Sequence, residues 1–250
     1  MVIVLVHGVP ETERVWDPLV EALRRAGIAE PIRLSPPGFG APVPPGWHAS
    51  VQGYRDWLVA ELEQVDGPVD LVGHDWGGGH VLGVAMTRPD LIRSWVSDVP
   101  GIFDPEYVWH DQARRWQGAD RVEEVAALVG STSEDRARLL VQQGMAPDSA
   151  AAIAPGIDAA MGACILDLYR SALQPVMALA GADLARAAER PGLALLPTAD
   201  SAVGTDLQRS RAALVAGART ERLDGLGHWW MTTDPAAVAP VLVDFWNSIR

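Results

Sequence analysis

The sequence predicts an α/β fold built on a mostly parallel sheet, with a helical insertion near its middle. Through the first hundred residues, strand patterns alternate with helix patterns and the links between them are short. The alternation stops at about residue 104, where an Ala-, Arg- and Glu-rich helical pattern without a convincing strand continues to about residue 188. Strand patterns then return. We therefore expect a core domain of residues 1–102 and 191–250, and a helical domain of residues 103–190.

The strand patterns are of the buried type. The first, VIVLVHG at residues 2–8, is a continuous β-branched run closed by a glycine, which is typical of a strand buried on both faces. VDLVGHD at residues 69–75 is a second such run. The remaining strand patterns lie in EPIRLS (30–35), RSWVSDVPG (93–101), ERPGLALLPTAD (189–200) and RTERL (219–223).

Helix patterns fill the intervals between these strands. In WDPLVEALRRAG, residues 16–27, apolar residues recur on one face and Gly27 ends the pattern. The Pro- and Gly-rich stretch at residues 35–46 is too broken for regular structure, so we expect a loop there. Further helix patterns lie at residues 50–67, at residues 77–92 with an end near Pro89, and at residues 234–249.

The composition excludes several classes of function. The chain has 20 basic and 32 acidic residues, a net charge of −12, and no lysine. It therefore cannot use a Schiff-base lysine, and its acidity disfavours nucleic-acid binding. The one cysteine, Cys164, cannot form an internal disulfide and is expected in the core. The N-terminal apolar run is too short to span a bilayer. We expect a soluble, cytoplasmic monomer or homodimer without a cofactor.

The segment GHDWG, Gly73 to Gly77, predicts a sharp turn between a strand and a helix. A G-x-nucleophile-x-G turn of this kind lifts its central side chain above the sheet and directs a helix N-terminus at it. Here the central residue is Asp75. A structural aspartate that caps the helix explains the same pattern, so the motif alone is weak.

The residues that would complete a catalytic triad follow in the required order. On this scaffold an acid follows a later strand, and a histidine lies near the C-terminus. Asp200 ends a strand pattern and His228 follows 28 residues later. Asp98 also lies at a strand end and is the alternative acid.

The HGVP segment after the first strand supplies a possible oxyanion hole. The backbone amide of Val9 could point at a developing oxyanion together with that of Trp76. We expect His7 to be structural. His74 and His80 could also belong to a metal site, but both fit strand and helix packing better, so we expect no metal.

Taken together, HGVP with Trp16, PPGFG, GHDWGG, the late acid and GHWW resemble the α/β-hydrolases that use an aspartate nucleophile, namely epoxide hydrolases and dehalogenases. The resemblance implies the α/β-hydrolase fold with a helical cap, which matches the insertion predicted above. It also implies that the sheet is shortened at its N-terminus, because the family's first pair of strands has no counterpart before residue 2.

The resemblance further implies a mechanism. Asp75 attacks a saturated carbon and forms an alkyl ester, and His228, oriented by Asp200, activates the water that cleaves it. Epoxide hydrolases protonate the leaving oxygen with cap tyrosines, and Tyr169 resembles one of them, although a core role explains it too. The other cap donor stays open among Tyr107, Trp109, His110 and Gln112.

For dehalogenases the resemblance implies tryptophan N–H donors, and Trp76 is suitably placed. However, Val9 stands where many haloalkane dehalogenases have asparagine, and no arginine follows Asp75. Trp229 and the other tryptophans near the predicted pocket favour a small apolar or aromatic substrate, with water as the second reactant. We therefore expect an epoxide hydrolase. The alternatives are a dehalogenase, or a non-hydrolytic pathway enzyme or binding protein on the same fold.

Overall fold

The computed structural model describes residues 2–118 and 122–249. This part of the chain contains one sheet of six parallel strands in the order β2-β1-β3-β4-β5-β6, which confirms the predicted fold class. The strands are β1 (Ile3–Val6), β2 (Ile32–Leu34), β3 (Val69–Gly73), β4 (Ile92–Ser97), β5 (Gly192–Pro197) and β6 (Arg219–Leu223).

Twelve α-helices accompany the sheet within the described residues. Those that follow the strands of the core are α1 (Asp17–Arg25), α2 (Val51–Leu62), α3 (Trp76–Thr87), α10 (Asp206–Val215), α11 (Trp230–Thr233) and α12 (Pro235–Ser248). Between β4 and β5 lie α4 (Asp111–Gln117), α5 (Val122–Gly130), α6 (Ser133–Gln142), α7 (Pro147–Ile153), α8 (Ala159–Ser171) and α9 (Val176–Ala180). Helix α8 packs against α4 and α5, and α6 packs against α7.

No single described helix is long and apolar enough to cross a membrane. Only a pair of helices, Pro147–Gly156 and Ala159–Ser171, reaches the required length and composition, and it bends by 95° at its break.

Helix α10 is absent from the sequence prediction. Its buried residues are Ala212, Ala213 and Arg209, while Leu207 and Leu214 are largely exposed. An apolar stripe is therefore missing from the pattern. The detectable signal was the capping box, in which Thr205 and Gln208 cap the helix reciprocally.

The connections between strands create a crevice where the strand order reverses. The chain moves from β1 to β2 in one direction and from β3 to β4 in the other, so right-handed crossovers place α1 and α3 on opposite faces. The helix contacts agree, because α1 packs on α12 and α3 packs on α2. The loops after β1 and β3 thus leave the sheet side by side at a topological switch point, where α/β folds bind ligands.

The turn after β3 has the strained geometry of a nucleophile elbow. Asp75 adopts φ 49° and ψ −127°, a conformation that a residue with a side chain rarely keeps unless its surroundings impose it. The flanking glycines are required by contact. A Cβ on Gly73 would lie 2.5 Å from the carbonyl oxygen of Gly77, and a Cβ on Gly77 would lie 2.2 Å from that of Val6.

We predict that Gly77→Ala destabilises the protein, because the new methyl group meets backbone atoms of β1 that cannot turn aside. The free energy of unfolding should fall by about 1–3 kcal/mol or more in urea titrations. Gly130→Ala is the matched control, since nothing lies within 4 Å of a Cβ at that position, and its change should stay below about 1 kcal/mol. Equal stability of the two variants would contradict the packing argument.

Candidate active site

Asp75 lies just beyond the carboxyl end of β3, and the loop after β1 contacts one oxygen of its carboxylate. The backbone N–H of Val9 donates to Oδ2 at 2.9 Å, and the backbone N–H of Trp76 acts to lower the pKa of this carboxyl group. The loop can approach this closely because residue 8 is glycine, where a Cβ would lie 2.3 Å from Oδ2. The two amides predicted as an oxyanion hole therefore converge on the side chain of Asp75.

His228 faces the other carboxylate oxygen. Its Nε2 lies 3.9 Å from Oδ1 of Asp75, and its Nδ1 is 2.8 Å from Oδ2 of Asp200. Asp200 is held in turn by the N–H of Ala202, which donates to Oδ1 at 2.8 Å. The three side chains thus form a continuous line from the loop after β5, through the loop after β6, to the elbow. This is the geometry that a nucleophile, a general base and an orienting acid require.

Burial and neighbouring charges shift the pKa of each of these three groups in opposite directions. Burial raises the pKa of Asp75, while the neighbouring His228 and His74 act to lower it. Burial alone would lower the pKa of His228, but the charge and hydrogen bond of Asp200 outweigh it and raise that pKa above its ordinary value. Burial likewise opposes ionisation of Asp200, yet His228 lowers the pKa of Asp200 to about 2.

Asp98, the alternative acid, does not face His228. Its Oδ1 accepts the backbone N–H of Asp75 at 3.0 Å, and its Oδ2 lies 2.5 Å from Nδ1 of His74 and 2.7 Å from Nε1 of Trp230. Of the two predicted acids, Asp200 is the one that contacts His228 in this structure, and Asp98 contacts His74 instead. Asp98 follows β4, the strand next to β3, and its carboxylate holds the backbone of the elbow through the hydrogen bond that the N–H of Asp75 donates.

His74 is the centre of a buried ion network, which its assignment to packing did not anticipate. Its Nδ1 contacts Asp98, and its Nε2 lies 3.1 Å from Oε1 of Glu11. Burial would lower the pKa of His74, but the two carboxylates outweigh burial and raise it well above the ordinary value. The ring carries a positive charge at neutral pH and lies 4.6 Å from the ring of His228.

Sequence reasoning missed Glu11, although this side chain is fully buried. Its Oε2 accepts the N–H of Gly8 at 3.1 Å, and its Oε1 accepts the indole N–H of Trp229 at 2.5 Å. Burial opposes its ionisation, but His74 outweighs burial and lowers the pKa of Glu11 to about 2. The only signal in the sequence was an acidic residue directly after HGVP, and an isolated glutamate is exposed in most proteins.

The other two histidines near the elbow have the structural environments expected of them. His7 is buried, with Nδ1 3.0 Å from the carbonyl oxygen of Gly8. His80 stacks between Tyr54 and Trp76, and burial lowers its pKa to about 3.

Glu11, His74 and His228 are the one set of described residues whose ligand atoms could hold a metal ion, all lying within 4.8 Å of one another. Both ring nitrogens of His74 already contact carboxylates. A cation would therefore have to displace a proton from a strongly basic imidazole.

A cavity of about 420 Å³ opens above Asp75. Its walls combine aromatic rings, polar groups and two carboxylates, and they include most of the predicted site residues. The lining residues are Val9, Pro10, Asp75, His110, Gln112, Trp116, Gln143, Gly144, Tyr169, Ala199, Asp200, Ser201, Ala202, Gly227, His228 and Trp229. A smaller space of about 20 Å³ adjoins Asp75, and it is lined by Trp76, Tyr107, Trp109, His110 and Tyr169 among others.

Two phenols lie within electrostatic reach of Asp75. Burial and the charge of Asp75 raise the pKa of Tyr169 and of Tyr107. The indole of Trp76 packs edge-on to the ring of Tyr169, with ring centres 5.4 Å apart, and it acts to lower the pKa of the phenol. The O–H of Tyr107 donates to the carbonyl oxygen of Ala202 at 3.1 Å.

We predict that Glu11→Gln lowers the free energy of unfolding by about 3 kcal/mol at pH 7, because it removes one ionised partner of a buried charge. The folded-state pKa of Glu11 is about 2, below its ordinary value of 4.5. Its contribution is thus full above pH 4.5 and is lost as the pH falls toward 2.

The measurement is urea unfolding of wild type and variant between pH 7 and pH 3. The difference between the two should fall to roughly half at pH 3. Glu13→Gln, on an exposed side chain, is the control and should change little. A difference that is independent of pH would refute the assigned ionisation.

Comparison with known proteins assigns this chain to a family. The model of the Alpha/beta hydrolase family matches residues 3–241. An (E)-2-((N-methylformamido)methylene)succinate hydrolase of Acinetobacter baylyi is 34% identical over 92 residues, covering 36% of this chain and 34% of the relative. Lipase LipV of Mycobacterium tuberculosis is 34% identical over 102 residues, covering 40% and 37%. The matched segments thus span about a third of each curated relative.

Solved structures share the fold over nearly the whole chain. A haloalkane dehalogenase, DbeA from Bradyrhizobium elkani, superposes with a TM-score of 0.75 at 19% identity, covering 99% of this chain and 90% of that one. An E-2-(acetamidomethylene)succinate hydrolase gives 0.69 at 15% identity, covering 98% and 91%. The enol-lactonase of Burkholderia xenovorans gives 0.69 at 19%, covering 98% and 90%. The family match over residues 3–241 shows that this chain belongs to the alpha/beta hydrolase family.

Proposed function

We propose that this hydrolase opens epoxides to diols through an alkyl ester on Asp75. The observation that carries the proposal is the position of the two oxygens of this carboxylate. Oδ2 accepts the N–H of Val9 at 2.9 Å, while Oδ1 lies 3.9 Å from His228 in the wall of the cavity. One oxygen is thus held in an oxyanion hole and the other is available to attack a substrate.

The first step suits Tyr169. As Oδ1 of Asp75 bonds to an epoxide carbon, the carbon–oxygen bond breaks and its electron pair moves to the epoxide oxygen. Tyr169 donates its proton to that oxygen, and the indole N–H of Trp76 stabilises the phenolate that forms. Negative charge disappears from Asp75 as it appears on the phenolate, so the net charge of the buried site stays constant.

The second step suits His228. The charge of Asp75 helps to raise the pKa of His228, so forming the ester lowers that pKa and favours the neutral base. The positive charge of His74 acts in the same direction. His228 then takes a proton from water, whose oxygen attacks Cγ of Asp75, and the amides of Val9 and Trp76 hold the oxyanion. Collapse of this intermediate breaks the bond between Cγ and the alkyl oxygen, and the leaving alkoxide takes the proton of the hydroxyl that was added, which releases the diol and restores the carboxylate. The proton held by His228 then returns to the Tyr169 phenolate, directly or through water.

The walls of the cavity favour an uncharged substrate. Among the described residues that line it, two are carboxylates, Asp75 and Asp200, and none is an arginine. A substrate with two carboxylates, such as the name of the Acinetobacter relative indicates, would meet like charge and no arginine with which to pair. The rings of Trp116, Tyr169 and Trp229 instead suit an apolar or aromatic epoxide.

Dehalogenation is the second candidate, because the Trp76 indole lies beside Asp75 and halides bind to such N–H groups. In this structure, however, the indole N–H of the neighbouring Trp109 donates to the carbonyl oxygen of Ala172 at 3.1 Å. A halide held by both indoles would have to displace that hydrogen bond.

We predict that the new oxygen in the diol comes from Asp75. With enzyme in excess over a styrene-type epoxide in ¹⁸O-water, the first turnover should give unlabelled diol, and the label should enter Asp75. Mass spectrometry of the product and of the Asp75 peptide measures both. Asp75→Ala should reduce turnover by several orders of magnitude. Labelled diol in the first turnover, or activity retained by the variant, would contradict the ester mechanism.

We also predict that Tyr169→Phe separates the two candidate reactions. Loss of the proton donor should slow epoxide opening by about 100-fold, because general acid catalysis commonly contributes that much. Halide release from haloalkanes, if present, should change little. Tyr54→Phe is the matched control, because the O–H of Tyr54 donates to the carbonyl oxygen of Pro37 at 2.8 Å and does not line the cavity. If the protein binds an apolar ligand tightly but turns over neither epoxides nor haloalkanes, the result would favour a binding protein.

A further inference from the structure

The donor that assists Tyr169 can be identified from hydrogen bonds that are already formed. Four residues near the start of the helical segment were candidates, namely Tyr107, Trp109, His110 and Gln112. The O–H of Tyr107 donates to Ala202, and the indole N–H of Trp109 donates to Ala172. His110 and Gln112 are left, since their side chains donate no hydrogen bond to the described residues.

The tautomer of His110 follows from its role at the start of α4. Its Nδ1 accepts the backbone N–H of Ala113 at 3.4 Å, which caps the helix. A neutral imidazole that accepts at Nδ1 carries its one proton on Nε2. Burial, reinforced by the nearby charge of His228, lowers the pKa of His110 to about 4, so the ring is neutral at pH 7.

The position of His110 distinguishes it from Gln112. His110 lines both the large cavity and the small space that Asp75 and Tyr169 also line. Gln112 lines only the large cavity. Of the two free donors, His110 is therefore the one beside the reacting end of the site.

We propose that the Nε2–H of His110 is the second donor to the epoxide oxygen, acting together with the phenol of Tyr169. As the carbon–oxygen bond breaks, Tyr169 transfers its proton to the oxygen, whereas His110 donates a hydrogen bond and keeps its proton. The imidazole thus stabilises the charge that develops on the oxygen without changing its own protonation. This assignment rests on the proposed epoxide reaction at Asp75.

The test measures ester formation alone. In a His228→Gln background the ester should accumulate, and the mass of the intact protein should increase by the mass of the epoxide. Two substitutions of His110 are compared in this background. Asparagine places an acceptor where Nδ1 was, so it keeps the helix cap but loses the distal donor. Glutamine places an amide N–H where Nε2 was, so it keeps the donor and weakens the cap.

If His110 is the donor, the His110→Asn variant should form the ester about 100-fold more slowly than its parent, and His110→Gln should be at least tenfold faster than His110→Asn. If His110 only caps α4, the order should be reversed. An Asn variant that equals or exceeds the Gln variant overturns the proposal. Val108→Ala, at a residue that is 68% exposed, controls for disturbance of the segment.

Failure of the underlying reaction would look different. If the His228→Gln protein with native His110 acquires no epoxide mass, the ester mechanism itself is refuted. If it acquires that mass at a rate that neither His110 variant changes, the role of His110 alone is refuted. Circular dichroism and the melting temperature of each variant show whether it is folded.

Discussion

A buried ion triad, formed by the His74 imidazolium between the carboxylates of Glu11 and Asp98, holds the whole site together. Glu11 belongs to the loop after β1, and it also fixes Gly8 and the indole of Trp229. Asp98 follows β4 and fixes both the backbone of the elbow and the indole of Trp230. Loops from distant parts of the chain thus meet on three charged side chains. Leaving any one of these charges unpaired would cost about 3–5 kcal/mol.

The ion triad of Glu11, His74 and Asp98 also sets the charges that surround the reacting groups. It contributes two negative charges and one positive charge beside Asp75, and the ring of its positive member lies 4.6 Å from the ring of His228. That charge opposes protonation of His228, whereas Asp200 and Asp75 favour it. The net effect of these groups is to raise the pKa of His228. In the proposed reaction, neutralising Asp75 by ester formation removes one of the charges that favour protonation, so the form that can accept a proton becomes more favourable.

The sequence predicts well those features that depend on local pattern. The long buried runs around Val6 and Val72 are recognisable as strands because, Asp70 excepted, every position of β1 and β3 is apolar or glycine, and no tertiary partner is needed to recognise this. Helix α10 could not be recognised in the same way, because its buried face consists of two alanines and an arginine. Its capping box was the available evidence.

The site was predictable to the extent that chain order fixes it. Asp75 and His228 follow from the elbow and from the late histidine, whereas Asp98 and Asp200 both end strands and cannot be separated by spacing. Strand order separates them, since Asp98 follows β4 directly beside β3 and Asp200 follows β5. The buried position of Glu11 could not be predicted, because it depends on contacts with His74 and Trp229, which lie far along the chain. The same holds for the donors of residues 107–112, which differ only in where their protons are directed.

The fold alone does not decide the reaction, because a lactonase and a dehalogenase both share it. The oxyanion hole carries more information. In an enzyme with a serine nucleophile, the hole must be open so that the carbonyl oxygen of the substrate can enter it. Here the N–H of Val9 already binds Oδ2 of Asp75. A substrate carbonyl would have to compete with an ionised oxygen that is covalently part of the enzyme. This arrangement is the reason why we propose an ester whose carbonyl belongs to Asp75, with the substrate carbon attached to Oδ1.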